Sequence, residues 1–291
     1  MDKTWALVAY TLLTQMSVGT FLVYWIYFLS VRRGSGAEIQ GQVHRPLLTV
    51  AVLLLLGMVV SLFHLERPLM AYRSVVNVGS SWLSREILFT VLYGLFGLLY
   101  IGAVRARAGL PGWRSALGWL VALSGIGLVY SMARIYMIQA VPSWNTVATP
   151  LTFFTAALLL GGLITGTLYQ TGGRSGSQPV ESTLFRWIGL GSIVLLGIQV
   201  VALVLGAADI QAQLGMATVA LGGGLKTWLV VYLALAFVGA GCCGALLYGE
   251  AVRSPRNLNV TSLASVALAL VLASQLVHRY LFYTHQIRIG L

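Results

Sequence analysis

The chain has 291 residues, of which 58% are hydrophobic and 9% carry a formal charge. Soluble domains carry about 25% charged residues, so this composition excludes a soluble globular protein, as well as disordered, collagen-like and disulfide-stabilised classes. The 18 basic residues outnumber the seven acidic ones and give a net charge of +11. In a chain this apolar, the excess is a mark of cytoplasmic loops and not of nucleic-acid binding. The sequence therefore predicts a multi-pass protein of the cytoplasmic (inner) membrane, in contact with the lipid bilayer.

The apolar runs predict an all-α protein with eight transmembrane helices. Each run is about 20 residues long, the length needed to cross the hydrocarbon core, and none alternates with a period of two as barrel strands do. No separate soluble domain fits, so residues 1–291 are predicted to form a single integral membrane domain. The first run lacks a small-residue cleavage site, which indicates a retained span. The predicted spans are 5–30, 46–65, 86–104, 113–138, 149–169, 184–206, 225–248 and 261–283.

An even number of spans places both termini on the same side of the membrane. Cytoplasmic loops carry an excess of arginine and lysine, and the odd-numbered loops hold ten of the 18 basic residues. We therefore expect both termini on the outer, periplasmic side. The ten residues are Arg32, Arg33, Arg45, Arg105, Arg107, Arg114, Arg174, Arg186, Arg253 and Arg256.

The second predicted loop, residues 66–85, departs from this charge pattern. It is longer than the about two to eight residues that are common between bundle helices, and Pro68 makes it unlikely to continue the preceding helix. Arg67, Arg73 and Arg85 place positive charge on the outer face, where orientation does not call for it. We predict that these three arginines dock a partner protein.

Ionisable residues at membrane depth gather at the outer end of the predicted bundle. Such residues are costly in lipid and mark function by default. Arg134 and Arg279 have an alternative role, because helix-terminal arginines also extend to lipid headgroups. His64 taken alone is as well explained as a buried histidine with its hydrogen bonds satisfied. The whole group comprises His64, Glu86, Arg134, His278, Arg279 and His285.

His64 and Glu86 lie at the two ends of the second loop and together suit the oxidation of a quinol. A quinol releases two protons as it gives up two electrons, so its site needs a proton acceptor for each hydroxyl. A histidine and a carboxylate at the membrane edge provide the two acceptors. Tyr136, Trp82 and Trp144 are available to flank a flat ring, although aromatic belts occur at every membrane interface. We expect this site between the second, third, fourth and eighth helices.

Haem binding is a competing interpretation of the histidines. A b-type haem needs two axial imidazoles, and His278 and His285, seven residues apart, would share one helix face. No histidine pair sits at matched mid-membrane depth, so we rank haem below a bare quinol site. The adjacent Cys242 and Cys243 lack the spacing and the further ligands of a metal site. No haem or metal is therefore predicted in this chain.

A secondary transporter is a further alternative of a different class. It would line its pathway with intramembrane charges such as Glu86, Arg134 and Arg279. The polar groups lie toward one end of the predicted bundle, whereas transport needs access from both faces. We rank this alternative below the quinol site.

Two stretches of the sequence resemble a known family. Residues 64–86 read HLERPLMAYRSVVNVGSSWLSRE, and the segment Arg134-Ile135-Tyr136 is followed by Val141-Pro142-Ser143-Trp144, Thr149-Pro150 and Phe153-Phe154. Both stretches resemble the membrane-anchor subunits of dimethyl sulfoxide reductases, and the related polysulfide-reductase-type anchors share the eight-span layout. The resemblance covers most of the chain.

The resemblance implies a function and a set of partners. Such anchors belong to three-subunit enzymes with a molybdopterin catalytic subunit and a subunit that carries four iron–sulfur clusters. The anchor oxidises menaquinol without haem and does not itself reduce the terminal substrate. In that family the histidine and glutamate that match His64 and Glu86 are associated with quinol binding, and we add Arg134 and Tyr136 as candidates. The resemblance leaves the role of His278 and His285 open.

Overall fold

The computed structural model describes residues 4–32, 44–63, 77–106, 111–170, 178–215, 223–253 and 259–287. These residues are almost entirely helical, which confirms the predicted all-α class. A π-helical segment, Phe237–Cys242, joins the seventh helix to the eighth. The helices are α1 (Thr4–Arg32), α2 (His44–Ser61), α3 (Trp82–Arg105), α4 (Pro111–Tyr136), α5 (Ala148–Gln170), α6 (Gln178–Leu214), α7 (Gly223–Ala236), α8 (Cys243–Arg253) and α9 (Asn259–Thr284).

Eight helical stretches within the described ranges are long and apolar enough to cross a membrane, as predicted. The seventh stretch, Gly224–Val252, runs through α7, the π-helical segment and α8 without a break. Large apolar side chains face outward along the bundle, among them Leu55 on α2, Leu98 on α3 and Trp187 on α6. In water such a surface would drive aggregation, whereas hydrocarbon solvates it. The chain is a multi-pass membrane protein.

Helices α1 and α5 form the centre of the bundle, where their backbones touch. A Cβ atom added at Gly19 of α1 would lie 1.8 Å from the carbonyl oxygen of Ala157 on α5. A Cβ atom added at Gly161 would lie 2.0 Å from the carbonyl carbon of Gly19. Small residues allow this close approach, which is common between helices in membranes.

Two apolar cores share this central pair. One core fills the space between α1, α2, α3, α4 and α5, around side chains such as Phe21, Trp25 and Tyr93. The other fills the space between α1, α5, α6, α8 and α9, around side chains such as Leu160 and Leu247. Tyr136 and Phe282 border both cores. We call the boundary between the two cores the seam, and these two rings lie at one end of it.

The helix directions bring the start of α1, α3, α5 and α7 and the end of α2, α4, α6 and α9 to the same end of the bundle. We call it the Glu86 end. The ring of Trp5 on α1 lies 5.9 Å from that of Phe63, just after α2. Helix α3 begins at Trp82 because Ser81 caps it: the backbone N–H of Ser84 donates to the Ser81 hydroxyl. The cap fixes the orientation of the first turns of α3.

Candidate functional site

Glu86 of α3 is buried against α1 at the Glu86 end. Its side chain is 7% exposed, and the hydroxyl of Tyr10 donates to its Oε1 at 2.8 Å. Thr90, one helical turn after Glu86, donates its hydroxyl hydrogen to the Glu86 backbone carbonyl. The sequence identified the carboxylate but missed its partner on α1, because a tyrosine within an apolar run carries no signal of its own.

Arg279 of α9 is buried completely. Its side chain is 0% exposed, and its Nη2 donates to Oε1 of Gln15 on α1 at 3.1 Å. The Cζ atom lies 3.7 Å from the centre of the Phe153 ring and 5.6 Å from that of Phe282. The alternative in which Arg279 extends to lipid headgroups is therefore wrong, since the bundle encloses the guanidinium.

Tyr136 belongs to the same group of side chains as Arg279. The hydroxyl of Tyr283 on α9 donates to the Tyr136 hydroxyl at 3.1 Å, and the Phe153 and Phe282 rings that contact the Arg279 guanidinium also pack against the Tyr136 ring. The Tyr136 ring packs against four others, Trp144, Phe153, Phe282 and Tyr283, with ring centres 5.4 to 5.9 Å apart. Glu86, Tyr136 and Arg279 come from the third, fourth and eighth spans, as predicted from the sequence, and they lie in one polar, ring-lined cluster. Helix α1 adds Tyr10 and Gln15 to it.

The segment after α4 is fixed to the ends of α6 and α9. The indole N–H of Trp144 donates to the Phe282 carbonyl at 2.6 Å. The backbone N–H of Val147 donates to Oδ2 of Asp209 at 3.0 Å, and Gln213 donates through Nε2 to the Asn145 carbonyl at 2.8 Å. These bonds hold the Trp144 ring in place beside Tyr136.

Two arginines contact the ring of Trp82, at the start of α3. The Cζ atom of Arg85 is 4.2 Å from the ring centre and that of Arg134 is 5.1 Å from it. The edge of the Tyr130 ring also packs against the indole, at 5.5 Å between centres. Trp82 therefore links α3 to α4 through a cation–π contact with Arg134 and a ring contact with Tyr130.

Arg85 and Arg134 differ in how their other donors are used. Arg85 donates through Nε to the Val78 carbonyl at 2.9 Å and through Nη2 to the Gly79 carbonyl at 2.6 Å. Arg134 donates through Nη1 to the Met137 sulfur at 3.7 Å, while its buried Nε has no hydrogen-bond partner. Arg85 thus fixes the turn before α3, and its docking role stays a prediction. His64, Arg67 and Arg73 lie outside the described residues.

The two histidines of the last span have different surroundings. The His278 side chain is 9% exposed, its ring centre is 4.8 Å from that of Tyr232 on α7, and its Nδ1 is buried without a partner. Helix α9 ends at Thr284, so His285 lies beyond it and is exposed, with its Nδ1 2.9 Å from the Thr284 hydroxyl. The backbone N–H of His285 still donates to the Leu281 carbonyl at 3.0 Å, and the shared helix face stays a prediction.

A second buried polar cluster lies deeper in the bundle. The side-chain amides of Gln199 on α6 and Gln275 on α9 exchange hydrogen bonds at 3.3 and 3.4 Å, and the Tyr232 hydroxyl donates to Gln199. Across the described ranges, no three histidine, cysteine, aspartate or glutamate side chains group together as metal ligands would.

The fold and the cluster define a multi-pass membrane protein with a buried, ring-lined polar site at one end. The sequence matches the DMSO reductase anchor subunit family (DmsC) over residues 1–285, and the chain belongs to that family. Two similar proteins, both from Escherichia coli, are the YnfH subunit and the C subunit of anaerobic dimethyl sulfoxide reductases. The alignment with each is 27% identical and spans 99% of this protein and 96% of the relative.

A third relative is the C subunit of the anaerobic dimethyl sulfoxide reductase of Haemophilus influenzae. It is 33% identical over 54% of this protein and 55% of its own length. No solved structure matched the sequence.

Proposed function

We propose that this protein is the membrane-anchor subunit of a molybdenum oxidoreductase complex and that it oxidises menaquinol at the Glu86 end. One observation carries the proposal: a carboxylate, Glu86, is buried inside the bundle and accepts a hydrogen bond from the Tyr10 hydroxyl, in a member of the anchor family. A buried carboxylate at membrane depth is costly and is retained for a function. Accepting a proton is the chemistry that a carboxylate in this position offers.

The proposed reaction removes two protons and two electrons from each menaquinol. Glu86 accepts one proton and His64 accepts the other. Tyr136 and Arg134 contribute to binding, Tyr136 through its ring and Arg134 through its positive charge. The two electrons leave to an iron–sulfur cluster of a partner subunit, and the quinone departs into the bilayer.

The proposed partners are a subunit with four iron–sulfur clusters and a molybdopterin catalytic subunit. The names of the relatives point to dimethyl sulfoxide as the terminal acceptor. We propose that the whole protein forms one integral domain of the inner membrane, with both termini in the periplasm. Arg67, Arg73 and Arg85 would then face the iron–sulfur subunit at the Glu86 end, so that electrons leave on the side where protons are released.

Replacement of the proton acceptors tests this function. In membranes that hold the complete complex, Glu86→Gln and His64→Ala should each lower menaquinol-dependent reduction of dimethyl sulfoxide by about 100-fold or more, which is typical for the loss of a general base. Reduction driven by a viologen dye should be unchanged, because the dye delivers electrons without the anchor.

Glu250→Gln is the matched control. It makes the same substitution in α8, near the opposite end of the bundle, and both activities should be retained. Full quinol-dependent turnover in Glu86→Gln would place the proton acceptor elsewhere and overturn the proposal.

A further inference from the structure

The surroundings of Arg279 are rich in donors and poor in acceptors. Of its three guanidinium nitrogens only Nη2 has a partner, while Nε and Nη1 are buried without one. The amide Nε2 of Gln15, whose Oε1 is that single partner, is also buried and unpartnered. Three donors thus lie in one place without an acceptor.

Such an arrangement is costly unless something completes it. A buried donor without a partner costs the free energy of its lost hydration, and the cost is larger for a charged group. An arginine stays charged in proteins, so Arg279 does not avoid the cost by losing a proton. The missing component is a hydrogen-bond acceptor, which in chemical terms is an oxygen atom with free lone pairs and preferably partial negative charge.

The position of Arg279 indicates which oxygen this is. Helix α1 carries the partners of both charged groups five residues apart, Tyr10 for Glu86 and Gln15 for Arg279, so the donors and the carboxylate belong to one cluster. The guanidinium also lies against the rings of Phe153 and Phe282, flat apolar surfaces that suit a flat aromatic ligand. A naphthoquinol carries two oxygens on opposite sides of such a ring.

We infer that Arg279 is a further quinol-binding residue, which donates to a ring oxygen of the naphthoquinol through the nitrogens that the protein leaves unpartnered. The inference rests on the proposed function and adds a residue to its site. Gln15 assists through its free amide nitrogen. Phe282 is the partly buried ring of the two that contact the guanidinium, so the ligand approaches Arg279 from the Phe282 side. As the quinol oxygen loses its proton, the positive charge of Arg279 stabilises the negative charge left behind.

Direct binding tests the inference without depending on turnover. We would titrate the purified complex with menadione, a naphthoquinone without a tail, and measure its Kd by equilibrium dialysis. Arg279→Gln should raise the Kd by at least about tenfold, because the charge and two donors are lost. Arg279→Lys keeps the charge but not the guanidinium geometry and should raise it severalfold, as should Gln15→Leu. Arg186→Gln, at the opposite end, should leave it unchanged.

The outcomes separate this inference from the proposed function. A Kd within twofold of wild type in the Arg279 and Gln15 variants, while Glu86→Gln abolishes quinol turnover, would overturn the role of Arg279 and leave the proposed function intact. A purely structural role would reduce the yield of assembled complex without changing the Kd of what assembles, which also overturns it. Absence of menadione binding to the wild-type complex would overturn both. If Arg279→Gln does not assemble, Arg279→Lys and Gln15→Leu decide the question.

Discussion

The contact between Tyr10 and Glu86 shows how one hydroxyl makes a buried carboxylate tolerable. A hydrogen bond to a charged group contributes about 1.5 to 3 kcal/mol, and this one is short, at 2.8 Å. The carboxylate was predictable from the sequence, because acidic residues are rare at membrane depth. Its partner was not, because thirteen tyrosines occur in the sequence and their partners depend on how helices pack.

Removal of the Tyr10 hydroxyl should impair quinol oxidation without unfolding the bundle. Tyr10→Phe keeps the ring and leaves Glu86 without its donor, and we expect kcat/KM for menaquinol to fall about tenfold. Tyr24→Phe is the control, since it removes a hydroxyl from the buried Tyr24–Tyr100 pair at the opposite end. Equal kcat/KM values for both variants would show that the Tyr10 hydroxyl has no special role.

Arg279 illustrates what a sequence does not resolve about a charged residue. Its position near the end of a span fits two opposite arrangements, one with the guanidinium among lipid headgroups and one with it inside the bundle. The choice depends on Phe153 of α5 and Gln15 of α1, which are more than a hundred residues away in the sequence. No local pattern encodes that contact.

At the scale of helices, the number of spans was predictable because hydrocarbon thickness sets the length of an apolar run. The residues at which the helices begin and end were less predictable. Helix α6 has 37 residues and is roughly 55 Å long at about 1.5 Å per residue, well beyond the predicted 184–206. Its last turns carry polar side chains, which bind the segment after α4. Hydropathy missed these turns because they are polar. The π-helical segment Phe237–Cys242 was also missed. Its Gly239 lies against Leu270 and Val271 of α9, and hydropathy does not encode such contacts.

The crossing of α1 and α5 should be sensitive to a single methyl group. Gly161→Ala would place a Cβ atom 2.0 Å from the Gly19 backbone. The backbone cannot move aside unless a whole helix shifts, and such overpacking lowers the free energy of unfolding by about 1–3 kcal/mol. We expect a lower Tm for the protein in detergent. Gly162→Ala is the neighbouring control, because nothing lies within 4 Å of its added Cβ. A similar Tm for both variants would mean that the two helices do not touch as described.

At the scale of the whole molecule, the side chains of the site come from helices far apart in sequence. The predicted site helices included the third, fourth and eighth spans, because topology alone brings their polar ends together. The part of α1 in the site was not foreseen, since its polar side chains, Tyr10 and Gln15, are uncharged. His64 and residues 66–76 of the second loop, which include Arg67 and Arg73 of the predicted docking surface, lie outside the described residues.

The membrane orientation is testable with reporter fusions. Alkaline phosphatase folds only outside the cytoplasm, so a fusion at the C-terminus should be active if both termini are periplasmic. The same reporter inserted between α8 and α9, next to Arg253 and Arg256, should be inactive, because arginines favour the cytoplasmic side. The reverse pattern of activity would invert the proposed topology.

The two apolar cores that share α1 and α5 also bear on how the protein is made. Synthesis proceeds from the N-terminus, and the first five helices contain every buried member of the first core. They are complete before α6 leaves the ribosome. The second core, by contrast, draws on α1 and α5 together with α6, α8 and α9, so the later helices assemble against a finished surface. The order of translation is then also the order of packing, and the seam that holds Tyr136 and Phe282 closes last.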